Sequence, residues 1–125
     1  MWETEARRLC LIGGIAPPDP QMPVRTAVGT FYADLGWWIV RLVLEIDGLI
    51  KYLEDVEAVL AAQHWRQSAM EDAGIHVERS TPAEIADGEA FLARLRQILP
   101  PTLCEEKPVA ALRTPSESRR RGTQQ

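Results

Sequence analysis

Lysine is nearly absent from this chain of 125 residues: Lys51 and Lys107 are the only two, and every other basic side chain is arginine. Basic residues number 14 against 18 acidic ones, a net charge of −4. That excludes attraction of nucleic acid or a membrane through overall charge and leaves only a local basic patch for such a contact. The two cysteines, Cys10 and Cys104, have no metal-ligand spacing and read as free thiols in a reducing compartment. No apolar run reaches the roughly 20 residues of a membrane span, because Arg41 and Glu45 interrupt the longest one. Glu3, Glu5, Arg7 and Arg8 break up any secretory leader. A cytoplasmic protein without membrane attachment is expected. Internal repeats are absent, and the one low-complexity piece is Arg119-Arg120-Arg121.

A chain of this length is expected to make one domain. Residues 2–12 carry apolar positions at Ala6, Leu9 and Cys10 with charges opposite, the pattern of an amphipathic helix that Gly13-Gly14 ends. The proline-rich stretch from Ala16 to Pro23 reads as an extended connector. Val24–Val28 could form an edge strand. A second strand, about residues 30–35, and a third, 39–46, are expected as an antiparallel hairpin around the corner Gly36-Trp37-Trp38. A long helix over 54–73 has Val56, Val59, Leu60, Met70 and Ala73 on one stripe, interrupted at positions 63, 64, 66 and 67, which are Gln, His, Arg and Gln. After Gly74 an alternating strand runs over 75–79. Thr81-Pro82-Ala83-Glu84 is a capping box with proline at the first helical position. A second start at Asp87-Gly88 opens the stripe Phe91, Leu92, Leu95, Ile98, Leu99. The chain beyond Pro101 is polar and aperiodic, so residues 1–101 are expected to fold and 102–125 to form a disordered tail. The resulting class is α/β, a small central mixed sheet with the order αβββαβα.

Chemistry concentrates in the hairpin. Asp34 lies at the end of one strand, and Glu45 and Asp47 at the exit of the next, inside strongly apolar sequence. An ionised carboxylate buried there needs a partner, a hydrogen bond or a metal. Acids two apart on a strand share a face. Such a set is what coordination of a hard divalent cation by oxygen ligands requires, and ion pairing with Arg25 or Arg41 is the structural alternative. His64 reads as a partly buried helix histidine, and Trp37, Trp38 and Trp65 as packing residues.

These pieces occur in a colinear series: Glu3-(x)3-Arg7, the Gly14 to Gln21 connector, Ala33-Asp34-Leu35-Gly36-Trp37, Leu44-Glu45-Ile46-Asp47-Gly48, Lys51-Tyr52, Met70-(x)3-Gly74, Val77-Glu78-Arg79-Ser80-Thr81 and Leu92-(x)2-Leu95. The series resembles the PD-(D/E)xK nuclease superfamily, in particular very-short-patch-repair endonuclease-like domains of uncharacterised function, which also occur in abortive-infection antitoxin-like proteins. The resemblance implies a restriction-endonuclease-like core and a DNA endonuclease that uses Mg²⁺ or Mn²⁺. It implies Asp34 and Glu45 as metal ligands, Asp47 as a possible third, and Glu3 as an acid that orients the metal or a catalytic water. Where the superfamily often carries a lysine two residues after the glutamate, this chain has Asp47, and Lys51 is the nearest replacement. In the long helix the family's charged run is replaced by Gln63-His64-Trp65-Arg66-Gln67-Ser68. Those departures set a second expectation beside the first: a catalytically degenerate nuclease fold that binds DNA or a protein partner in a defence or toxin-antitoxin setting.

Overall fold

The computed structural model describes residues 1–47 and 55–109. The chain is mixed α/β, with a four-stranded mixed sheet and helices in the order α1 (Trp2–Ile12), β1 (Asp19–Thr26), β2 (Gly29–Trp37), β3 (Leu42–Ile46), α2 (Val56–Asp72), β4 (His76–Ser80), α3 (Pro82–Ala86) and α4 (Gly88–Ile98). Short 3-10 turns cover Trp38–Val40 and Pro101–Cys104. The residues cluster into two compact units, Pro18–Glu84 and a second made of Met1–Pro17 with the chain from Ile85 onwards.

In the Pro18–Glu84 unit the strands lie in the order β1-β2-β3-β4, the first three antiparallel and β4 parallel to β3. A parallel neighbour needs a long crossover, and α2 provides it, packing on β1 and β4. Its core joins Met22, Val24, Ala33, Val43, Met70, Ile75 and Val77, with Phe31 packed against them. Full burial of each large aliphatic side chain contributes roughly 1.5–3 kcal/mol. Gly36 is required where β1 crosses it: a Cβ there would collide with the Met22 side chain.

Three expectations change. Pro20 and Pro23 lie within β1 and not in a connector. Within the described sheet β1 is an edge strand, where a proline's missing N–H costs no ladder bond. The corner lies at 38–41, with Ile39 81 % exposed, so the third strand begins at Leu42. In α2 only Met70 of the expected stripe is buried, while Val56 and Leu60 are exposed. Asp55 caps α2, its carboxylate accepting from the Ala58 N–H at 2.9 Å.

In the other unit α1 and α4 pack together and bury Leu9, Cys10, Phe91, Leu92 and Leu95. The chain after α4 returns along the end of α1. Ala16 N–H donates to Leu103 O (2.7 Å), Glu106 N–H to Gly14 O (2.9 Å) and Val109 N–H to Leu11 O (2.9 Å). Gly14 turns with φ +74°, a conformation that favours glycine.

Candidate functional site: an acid and arginine cluster at the β2–β3 opening

The ladder between β2 and β3 pairs Trp37 with Leu42, Gly36 with Val43 and Leu35 with Leu44. One step further, Asp34 faces Glu45, and side chains close that step. The Asp34 N–H donates to Glu45 Oε2 at 3.2 Å, and the Ile46 N–H donates to Asp34 Oδ2 at 2.8 Å. Each acid therefore satisfies a backbone donor of the opposing strand.

Glu45 is 3 % exposed, and burial pushes its carboxyl above the ordinary range. The hydrogen bond from the Asp34 backbone and the charge of Arg66 oppose that shift, while the Asp34 carboxylate reinforces it. Arg66 reaches in from α2. Its Nη2 stands 2.9 Å from Glu45 Oε1 and donates to Tyr32 O at 2.6 Å. The contact to Glu45 is an ion pair without hydrogen-bonding alignment: Glu45 Oε1 and Arg66 Nε are both buried without a hydrogen-bond partner. The guanidinium lies 5.7 Å from the centre of the Phe31 ring, and Phe31 meets Trp65 edge to face at 5.7 Å. Next to this pair, Arg79 of β4 joins Asp47 (Nη1 to Oδ1, 3.0 Å) and donates to Gln67 Oε1 of α2 (2.9 Å).

The structure thus brings Asp34 and Glu45 together, with Asp47 engaged by Arg79 beside the same strand end. Glu3 belongs to the other unit. The N-terminal ammonium is 3.3 Å from its Oε2, and a hydrogen bond from its own backbone N–H is the first cause of its lowered pKa. Lys51 lies outside the described residues. Among the described residues, no group of three His, Cys, Asp or Glu side chains is placed to hold a metal ion. His64 is exposed, contrary to the half-buried position expected of it. The partner of Glu45 is neither Arg25 nor Arg41 but Arg66. The signal for Arg66 and Gln67 was present in the interrupted stripe of the long helix, whereas nothing in the sequence singled out Arg79 of β4. Polar residues at 66 and 67 face polar partners on β3 and β4.

No family model, no curated protein and no solved structure matches the chain. Among the described residues no helix is long and apolar enough to cross a membrane.

Proposed function

We propose that this chain is a catalytically silent, nuclease-like α/β domain that works as a binding module. The observation that carries the reading is the commitment of its acids to other tasks. Asp34 and Glu45 close the β2–β3 ladder, Arg66 supplies the cation at Glu45, and Arg79 takes Asp47. A guanidinium already offsets the charge that a divalent metal would offset. The position of the superfamily's lysine holds Asp47, which is itself ion-paired. The order of a helix, a three-stranded antiparallel meander, a crossover helix and a parallel strand supports a restriction-endonuclease-like core. Calorimetric titration of the protein with Mg²⁺ and Mn²⁺ tests this. No heat that depends on Glu45 is expected, and Glu45→Gln should titrate like the wild type. Metal binding that disappears in Glu45→Gln would overturn the reading.

One observation favours a second reading, an active Mg²⁺-dependent DNA endonuclease: Asp34 and Glu45 face each other as the resemblance requires. Bound metal would polarise a phosphodiester, with Asp34 and Glu45 as its ligands and Lys51 as the remaining cation. Cleavage of supercoiled plasmid by the wild type, lost in Asp34→Ala and Glu45→Ala, would establish that reading. No cleavage by any of the three is expected.

A further inference from the structure

On the Pro18–Glu84 unit a groove of about 200 Å³, lined by residues other than those of the acid and arginine cluster, opens between β1, the 38–41 corner and the end of α2. Val24, Ala73 and Ile75 form its apolar wall, and Trp38, Arg25 and Arg41 also line it. Trp38 is 49 % exposed. Neither the Arg25 nor the Arg41 guanidinium has an ion pair or hydrogen bond among the described residues. Arg41 stands in the left-handed region, φ 52° and ψ 45°, at a corner where glycine would be at ease. Its Nη1 lies 3.5 Å from where a Cβ on Gly74 would stand, next to the C-terminus of α2. A strained backbone thus holds a cation at the groove, an arrangement of the kind that clusters at binding sites.

We infer that this groove binds a peptide segment in which one apolar or aromatic side chain is flanked by carboxylates. Its volume is below the roughly 300–1,000 Å³ of pockets that enclose whole small molecules, and suits one side chain of a larger partner. The apolar wall requires that side chain to be apolar, and an exposed tryptophan beside two arginines has the composition of a binding hot spot. Two guanidinium groups without acidic partners among the described residues complement carboxylates on the flanking residues. A polyanion is disfavoured because two guanidinium groups give no extended basic track for a phosphate backbone. Backbone pairing along the edge of β1 is disfavoured by Pro20 and Pro23, which interrupt its row of N–H donors. Recognition therefore goes through side chains.

This inference gives the proposed binding module a class of partner, but it stands on different residues from Glu45 and Arg66. The full chain is titrated by fluorescence anisotropy against short labelled peptides. These carry a single Phe, Leu or Trp in an acidic background, in a basic background, or in a serine background without the apolar residue, and an oligothymidylate of equal length is run beside them. Only the acidic peptides with an apolar residue should bind. Affinity should fall by about tenfold or more in Trp38→Ala and in Arg25→Glu, and likewise in Arg41→Gly, where glycine relieves the backbone and keeps the fold. Val28→Ser, at the exposed β1–β2 turn, should bind as the wild type. Three results would overturn the inference: no binding by any peptide, equal binding of acidic and basic sets, or tighter binding of the oligothymidylate that is lost in the same variants. Failure here would leave the metal titration of Glu45 unaffected, so the two readings can fall separately.

Discussion

Replacing Arg66 by leucine should turn the acid cluster into a measurable pH sensor. The side chain is 34 % exposed, so its ion pair with Glu45 is partly screened by water, whereas Glu45 itself is buried. Breaking a fully buried pair costs about 3–5 kcal/mol, and an exposed one about 0–1, so about 1–3 kcal/mol is expected here. The lost hydrogen bond to Tyr32 O and the contact over Phe31 add about 1–2 kcal/mol that does not depend on pH. The sign follows from the direction of the Glu45 shift. Its folded carboxyl already holds its proton more tightly than the unfolded chain does, and loss of the Arg66 charge raises it further. Between the unfolded and folded values the native state binds more protons, so stability falls as pH rises through that window. The variant should be only modestly weakened at about pH 4 and clearly weaker at about pH 7.5. Urea unfolding followed by far-ultraviolet circular dichroism reads both, and Glu45→Gln in the Arg66→Leu background should remove the difference. An equal shift of the midpoint at the two pH values would refute the assignment of Arg66 as the counter-charge of Glu45.

Three further outcomes follow from the packing. Gly36→Ala places a methyl group against Met22 and should cost about 1–3 kcal/mol by thermal or urea unfolding. Arg41→Gly relieves a left-handed residue and should leave stability unchanged or raise it by up to about 1 kcal/mol in the same measurement. Burial first, then the neighbouring Cys104, push the Cys10 thiol up to about 12, so Cys10 carries almost no thiolate in the folded protein. A thiol-specific chromophore near neutral pH should label Cys104, which is half-buried, well before Cys10, and urea should make both reactive.

Much of the sheet and helix order was legible because it depends on local signals. Gly13-Gly14 stops α1 where expected, burial alternates from Ile75 to Glu78 before Arg79 and Ser80 break the pattern, and Thr81 does cap the next helix, its hydroxyl accepting from the Glu84 N–H at 3.2 Å. The acids at the strand exits were also visible, since charge in an apolar run stands out in any reading. What escaped was set by tertiary partners. Pro20 and Pro23 are excluded from a central strand but not from an edge, and sequence does not say which strand is at the edge. Val56 and Leu60 lie on a helical stripe, yet whether a stripe is covered depends on what the fold puts opposite it. Arg66 looked like a fault in that stripe, although it is the residue that makes a buried Glu45 tolerable.

The reciprocal bonds of Asp34 and Glu45 also bear on how variation at these positions is to be read. Substituting either acid by an apolar residue leaves an amide of the facing strand without an acceptor, a defect that purifying selection would remove from a protein with no catalytic role at all. An invariant acid pair among relatives would then be the signature of a sealed sheet as much as of a working nuclease. The informative positions are Arg66 and Arg79: relatives that use a metal should have lost these cations while keeping the acids.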